Sequence, residues 1–242
     1  MSHVIIIGGG AAGMMAAIAA AGAGHKVCIY EKNEKLGKKI YITGKGRCNV
    51  TNACDTEELF RNVVHNAKFL YSSFYTFTNT DVMDLIEKHG CPLKTERGGR
   101  VFPVSDKSSD VIHALTVALR ELGVEVELHE EVSGVLAEDG HVSGVRLKRG
   151  QKVVPADAVI VTTGGLSYPS TGSTGDGYRF ATELGHTITE LSPALVPFEA
   201  KEAVCKDLQG LSLRNISVQI RNGKKVLYEE FGEMLFTHFG IS

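Results

Sequence analysis

Three glycines between an apolar run and a small-residue segment constrain this chain more than any other feature. Gly8, Gly10 and Gly13 form a G-x-G-x-x-G pattern, which follows the β-branched run 4–7 and opens the Ala-rich segment 11–21. A second apolar run, 27–30, is followed by Glu31, and 17 residues separate Glu31 from Gly13. The order of strand, glycine turn, helix and strand predicts a βαβ unit that begins almost at the first residue.

Each part of this unit suits a bound dinucleotide. Gly8 permits the tight turn, Gly10 lets a pyrophosphate approach the backbone, and Gly13 lets the helix pack closely on the sheet. The helix N-terminus supplies free N–H groups and a positive potential for phosphate. Glu31 can accept hydrogen bonds from both ribose hydroxyls of an adenosine, although a surface glutamate in an ordinary turn is the alternative. We therefore predict an adenine dinucleotide site.

FAD and NAD both occupy such units, so the rest of the chain has to separate them. The unit lies at the N-terminus of the chain, and the alternating pattern over 132–155 predicts an antiparallel meander. A buried strand is expected over 158–162, and it ends in Thr163, Gly164 and Gly165. This glycine pair permits a cofactor to approach the backbone beside the first loop, with a simple turn as the alternative. These features favour FAD.

The polar segment 33–52, which we expect to be a long loop, carries further candidates. Loops of that length are unusual unless they are functional. Its cations suit a phosphate or an electron-rich reduced flavin, and Lys45 and Arg47 are the candidates for stabilising negative charge on the reduced ring. Asn49 can hydrogen-bond a flavin edge. The sequence identifies no residue as a catalytic acid or base.

Composition excludes several other classes of protein. The chain is 43% hydrophobic and 22% charged with a formal net charge of −2, and it has no basic run, so we expect neither a nucleic-acid nor a membrane partner. Five cysteines without a C-x-x-C pair argue against a disulfide scaffold or a zinc site and fit a reducing cytoplasm. The nearly uncharged segment 4–24 is interrupted by glycines and lacks a basic leader, so we expect no targeting segment.

The remaining patterns predict helices and a second module. An apolar face at helical spacing predicts a helix that Ser108 or Ser109 caps, that runs to Leu122 and that Gly123 ends. After Pro193 the sequence pattern changes, and strands are expected over 195–198, 216–220 and 226–231. The fold class is α/β, and we expect the domains to be 1–192 and 193–242.

Several strings resemble one family in the same order along the chain. LGKKIYITGKGRCNVTN is similar to the signature of the bacterial flavoproteins often labelled NAD(FAD)-utilising dehydrogenases, which include aminoacetone oxidase. The strings RVFPVSDKSSDV, TTGGLSYPSTGSTGDGYRFATELGHTI, LSPALVPF and GEMLFTHFGIS also resemble that family. The resemblance implies a Rossmann-like FAD-binding domain of the glutathione reductase and fumarate reductase type. It further implies a non-covalent FAD and an oxidoreductase that acts on a small organic substrate. Family members are linked to amine oxidation and to reductive steps, for which NAD(P)H would be the electron donor.

The same resemblance implies specific cofactor contacts. Val132 would contact adenine through its backbone, Asp176 would lie nearer the flavin end, and His238 is a candidate for the substrate cavity. The remaining implied contacts are Gly8, Gly10, Ala11, Ala12, Gly13, Glu31, Lys32, Lys38, Arg47, Cys48, Asn49, Thr163, Gly164 and Gly165.

Family members continue well past the position of Ser242. They complete an inserted domain and then return to the first domain with a glycine-rich segment. The resemblance therefore predicts that 1–192 is an FAD-binding domain without its return segment, and that 193–242 is the beginning of an inserted β-rich domain.

Two other hypotheses about the function stay open at this point. Cys48 and Cys54 follow the nucleotide-binding unit closely, which allows a flavin-linked dithiol enzyme. A flavin-binding module without catalysis of its own, acting as a redox sensor, is the second alternative.

Overall fold

Ten strands and seven helices make up the first of two units into which the chain divides. The computed structural model describes residues 1–242, and the units are Met1–Ile188 and Thr189–Ser242. The strands of the first unit are β1 His3–Ile7, β2 Lys26–Glu31, β3 Thr51–Asn52, β4 Leu93–Thr95, β5 Arg100–Pro103, β6 Glu125–Leu128, β7 Val132–Glu138, β8 His141–Leu147, β9 Val153–Pro155 and β10 Ala158–Val161. Its helices are α1 Ala11–Gly22, α2 Lys38–Ile42, α3 Thr56–Arg61, α4 Tyr71–Thr76, α5 Asn79–Lys88, α6 Ser108–Glu121 and α7 Asp176–Glu183.

The centre of this unit is a parallel sheet in the strand order β10-β1-β2-β6. Strand β1 lies between two neighbours and is covered on both faces, which is why its β-branched side chains are fully buried at Ile5 and Ile6. Strand β10 was expected to be buried, but it lies at the sheet edge, and Ile160 and Val161 are 36% and 41% exposed.

Different elements cover the two faces of the sheet. On one face, Met14 and Ala17 of α1 and Leu115 of α6 pack against Ile6 and Ile29. On the other face, the core includes the antiparallel meander β7-β8-β9 and helix α7, with these buried members: Ile5, Ile7, Val132, Val145, Leu147, Ala156 and Phe180. The predicted α/β class, the βαβ unit and the meander are confirmed.

The segment 33–52 is structured, so the expectation of a long loop is wrong. It contains α2, a 3-10 turn at Thr43–Gly46 and strand β3, which joins β5 and β4 in a small antiparallel sheet. Leu36, Ile40 and Cys48 are buried in the core with α6. Ile40 lies in α2 and Leu36 in the turn before it, and the surrounding glycines and lysines hide the burial of both from a reading of composition.

Helix α6 differs from its prediction at its N-terminus and in the extent of its buried face. Neither serine caps it: Lys107 occupies the N-cap position, and the buried Ser108 donates from its hydroxyl to the carbonyl of Tyr41 at 3.3 Å. The buried face ends at Leu119, and Leu122 is exposed. Gly123 ends the helix as expected.

The second unit contains a long hairpin of strands. Its elements are β11 Phe198–Glu199, α8 Val204–Asp207, β12 Ser212–Asn222, β13 Lys225–Leu235 and β14 Gly240–Ile241. Strands β12 and β13 pair antiparallel and contain the two strands predicted over 216–220 and 226–231. The strand predicted over 195–198 is wrong except at Phe198, since Leu195 is 95% exposed and lies outside any strand. The assignment of domains to 1–192 and 193–242 stays a prediction.

None of the helices combines the length and the apolar character that a membrane span requires.

Candidate functional site

A cleft of about 380 Å³ lies where β1, β2 and β10 end. Parallel strands end at the same edge of a sheet, and ligands of such folds bind outside those carboxyl ends. The volume is within the range of roughly 300–1,000 Å³ typical of small-molecule sites. The cleft is lined by eleven of the residues predicted from the sequence, namely Gly8, Gly10, Ala11, Ala12, Glu31, Lys32, Lys38, Val132, Thr163, Gly164 and Asp176.

The three glycines of the first turn have three different surroundings. Gly8 has a φ of 103°, and a Cβ on it would lie 2.7 Å from the carbonyl oxygen of Thr162. A Cβ on Gly13 would overlap the carbonyl oxygen of Gly8, so this glycine sets how closely α1 packs on the turn. Gly10 is extended, with φ −77° and ψ −170°, and a Cβ on it would meet nothing within 4 Å. Gly10 therefore leaves open a space above the start of α1.

The N-terminus of α1 presents unpaired backbone donors to this space. The amide of Met14 is the first to donate within the helix, to the carbonyl of Gly10 at 3.0 Å, so the amides of Ala11 and Ala12 have no intrahelical acceptor. The first turn contains no acidic residue, and no side chain caps the helix. The positive end of the helix is thus free to bind an anion.

Glu31 is held on the floor of the cleft by three N–H donors. It is 7% exposed. Its Oε2 accepts from the amide of Gly9 at 2.7 Å, and its Oε1 accepts from the backbone N and the Nδ2 of Asn33 at 2.8 and 2.7 Å. A carboxylate offers about four acceptor positions, so about one remains for a ligand hydroxyl. The expectation that it binds both ribose hydroxyls stays a prediction, and this geometry favours one.

The opposite wall of the cleft follows β10. Thr163 and Gly164 line it, whereas Gly165 is not a lining residue. The hydroxyl of Thr163 is buried and has no hydrogen-bond partner. A Cβ on Gly177 would lie 2.8 Å from this oxygen, so the hydroxyl packs against the start of α7.

Two lysines connect the walls. Lys32 Nζ donates to Asp176 Oδ2 at 2.8 Å and to the hydroxyl of Thr174 at 2.8 Å. Burial alone would raise the pKa of Asp176, but the hydrogen bonds from Lys32 and Thr174 outweigh it and lower the pKa below its ordinary value. Lys39 Nζ donates to the hydroxyl of Ser173 at 2.7 Å. Lys38 extends along the rim to Glu34 at 3.2 Å.

Sequence reasoning missed several cleft residues. Asn33 belongs to no motif, and Lys39 stands beside Lys38 in a family-like string without a pattern that distinguishes it, so both are identified only by their contacts. Ser173 is 5% exposed, and the one signal for it is a small polar residue flanked by glycines in a family-like string. The other unpredicted polar or charged lining residues are Thr43, Glu130, Glu131, Thr162 and Thr171.

Lys45, Arg47, Cys48 and Asn49 of the segment 33–52 do not line the cleft. Arg47 pairs with Glu96 and, at 2.7 Å, with Asp106, and its guanidinium lies over the ring of Phe102 at 4.1 Å from the centroid. Two carboxylates thus balance the charge of Arg47 within the protein, and its predicted role toward the cofactor and the reduced ring stays a prediction.

The other candidates outside the cleft have distinct environments. Lys45 and Asn49 are exposed at the surface. Cys48 is buried in the core, where burial raises the pKa of its thiol to about 11 and the neighbouring Cys91 adds to the shift. His238 belongs to the second unit, where its ring packs edge-on against Phe239 at 4.8 Å. Their predicted roles toward flavin and substrate stay predictions.

The glycine turn, the carboxylate at the end of the second strand and the meander on the far face define an FAD-binding domain of the Rossmann type. The family model described as HI0933-like protein Rossmann domain matches residues 2–238, and the chain belongs to this family. The cofactor of the domain is FAD.

Two curated relatives show how much of a whole protein the chain represents. It is 35% identical over 246 residues to the 3-dehydro-bile acid delta(4,6)-reductase of Clostridium scindens, covering 100% of this chain and 58% of that protein. It is 31% identical over 238 residues to the ribosomal RNA dihydrouridine synthase of Escherichia coli, covering 98% of this chain and 58% of that protein. The chain thus spans less than two thirds of the length of these relatives.

Solved structures with the same fold are more distant. The 3-ketosteroid-delta4-(5alpha)-dehydrogenase of Rhodococcus jostii RHA1 matches with a TM-score of 0.59 at 18% identity, over 76% of this chain and 54% of that one. An open form of a flavocytochrome c3 fumarate reductase matches with a TM-score of 0.57 at 22% identity, over 88% and 47%. At these identities the likeness shows the fold alone.

Proposed function

We propose that this protein is an FAD-dependent oxidoreductase that reduces a carbon–carbon double bond conjugated to a carbonyl group in a small organic substrate. The main support for FAD as the cofactor is the cleft. Unpaired amides at the start of α1, the open space at Gly10 and the buried Glu31 carboxylate all lie on its surface.

The relatives supply the argument for the substrate class. One relative is named for reducing the 4 and 6 positions of a 3-dehydro bile acid, and the other for making dihydrouridine. In both reactions as named, the bond that becomes saturated is conjugated with a carbonyl carbon. A shared chemistry on two such different substrates favours this reaction over amine oxidation, which remains the second outcome to test.

Within this proposal the chain binds and orients the cofactor. The amides of Ala11 and Ala12 would hold the pyrophosphate, Glu31 would accept from the adenosine ribose, and the backbone of Val132 would lie along the adenine. When bound, FAD supplies hydride and electron-pair transfer, and the protein supplies position and electrostatics.

The environment of Cys48 argues against a flavin-linked dithiol enzyme, which would use this thiol. Cys48 is 6% exposed, and burial raises its pKa to about 11. A thiol reacts as its thiolate, so at neutral pH this side chain is a poor nucleophile. All five cysteines are unpaired.

Anaerobic half-reactions of the flavin-loaded protein test the proposal. NADH, NADPH and small amines would be mixed with it in parallel while the flavin absorbance is followed, and a conjugated ketone or its saturated counterpart would then be added. We expect bleaching by a nicotinamide donor and recovery of colour only with the conjugated ketone. Bleaching by an amine without such recovery would replace the proposal with amine oxidation. No reduction by any donor would favour the redox sensor.

A further inference from the structure

Two chain segments meet across the mouth of the cleft. One segment, residues 32–39, follows β2, and the other, residues 167–176, lies between β10 and α7. Side chains of the first segment donate to the second in five hydrogen bonds of 2.7–3.1 Å. These run from Lys32 to Thr174 and Asp176, from Asn33 to the carbonyl of Thr171, and from Lys39 to the carbonyl of Ser167 and the hydroxyl of Ser173.

Asn33 differs from the two lysines because it also contacts the carboxylate on the cleft floor. Its Nδ2 donates to Glu31 Oε1 at 2.7 Å and to the carbonyl of Thr171 at 3.1 Å, which uses both amide hydrogens. Its Oδ1 accepts from Lys38 Nζ at 3.4 Å. One amide group therefore joins Glu31, the segment 167–176 and the lysine at the rim.

The second segment is shaped to reach this amide. Gly172 has a φ of 98°, and a Cβ on it would lie 2.6 Å from Asn33 Nδ2 and 3.2 Å from Lys32 Cε. A side chain at this position would separate the two segments, both sterically and through the strain of a positive φ. The approach thus depends on the glycine.

The carboxylate has little freedom once these bonds form. Glu31 Oε1 is occupied twice by Asn33, and Oε2 is occupied by the amide of Gly9. The remaining acceptor position therefore has a fixed direction, which a ribose hydroxyl can match and a differently placed hydroxyl cannot.

We propose that Asn33 is a positioning residue that couples recognition of one adenosine ribose hydroxyl at Glu31 to the docking of residues 167–176 over the cleft. The proposal rests on the proposed function in one respect, because it takes FAD to be the ligand of the cleft. It adds a specificity role for Asn33 and makes closure of the cleft depend on the ribose.

The test compares ligands as well as variants. Flavin-free protein would be titrated with FAD and with FAD analogues that lack the adenosine 2′- or 3′-hydroxyl, using the quenching of flavin fluorescence. For the wild type we expect one analogue to bind about tenfold more weakly than FAD, since a hydrogen bond to a charged group is lost. In Asn33→Ala, FAD should bind about tenfold more weakly and the preference for FAD over that analogue should fall to less than about threefold.

Thr174→Val is the matched control because it removes a bond between the same segments without touching Glu31. It should weaken FAD and the analogue by the same factor and keep the preference between them. If Asn33→Ala folds poorly, Gly172→Ala disturbs the same amide from the other side and should also remove the preference. A second readout is hydrogen exchange of the amides in residues 171–176, which FAD should slow in the wild type but not in Asn33→Ala.

The outcomes separate this inference from the proposed function. If Asn33→Ala and Gly172→Ala keep the wild-type preference while Glu31→Ala loses it, Asn33 does not position Glu31 and the inference is overturned. If Asn33→Ala weakens FAD and both analogues equally, its role is merely structural and the inference is again overturned. If Glu31→Ala binds FAD as tightly as the wild type, the assignment of the cofactor site itself fails.

Discussion

Gly10→Val should mainly weaken cofactor binding and Gly13→Ala should mainly lower stability, although both alter the same turn. Gly10 has backbone angles that any residue adopts, and nothing lies within 4 Å of its Cβ position. Only the preference for glycine at an N-cap is lost, which costs about 0.5–1 kcal/mol. At about 2–4 °C per kcal/mol for a domain of this size, the melting temperature of the flavin-free protein should fall by no more than about 4 °C.

The same valine should abolish tight cofactor binding. Its methyl groups would occupy the space above Ala11 and Ala12, where the pyrophosphate is expected. Each hydrogen bond to a charged group is worth about 1.5–3 kcal/mol, so losing two should weaken FAD binding by at least about 100-fold.

Gly13→Ala should instead destabilise the fold. The new methyl group would overlap the Gly8 carbonyl oxygen and lie 2.8 Å from Thr162 Oγ1. Because the first of these neighbours is backbone and cannot rotate away, the cost should approach about 3 kcal/mol, the upper end for overpacking. That corresponds to a fall of about 6–12 °C in melting temperature.

Thermal denaturation of the flavin-free variants, followed by FAD titration at a temperature where all are folded, measures both effects. The reasoning is refuted if Gly10→Val binds FAD with an unchanged Kd, or if Gly13→Ala melts at the wild-type temperature.

Two further predictions concern titratable groups. Burial raises the pKa of Cys48 to about 11, so an alkylating reagent at neutral pH should modify the half-buried Cys54 well before Cys48. Peptide mass mapping would measure the two rates, and equal rates would contradict this prediction. Because Lys32 and Thr174 lower the pKa of Asp176 below its ordinary 3.8, the ionised carboxylate stabilises the fold above that pH and loses this effect as the pH falls through the lowered value. Asp176→Asn should therefore be less stable than the wild type at neutral pH, with the difference closing in acid; a constant difference in chemical denaturation would count against the ion pair.

Local patterns were sufficient for the parts of the fold that depend on neighbouring residues. The β-branched run, the glycine turn and Glu31 are encoded within 31 residues, so the βαβ unit could be predicted. The edge position of β10 could not, because exposure of Ile160 and Val161 depends on which strands pair in the sheet. The buried residues Leu36 and Ile40 were hidden by a composition that is typical of loops.

In the candidate site too, features set by neighbouring residues could be predicted and features set by distant residues could not. Gly10, Glu31 and Thr163 follow directly from their positions at strand ends. The neutralisation of Arg47 did not, since its partners Glu96 and Asp106 are 49 and 59 residues away in sequence. The contact of Asn33 with Thr171, 138 positions later, is likewise a product of tertiary structure.

The most direct test of the account is the identity of the small molecule that the purified protein carries. Denaturation followed by chromatography and mass spectrometry should release FAD, approaching one molecule per polypeptide, and Glu31→Ala should carry clearly less. Recovery of FMN or a nicotinamide dinucleotide in place of FAD, or failure to bind added FAD at all, would contradict the claim that this cleft is an FAD site.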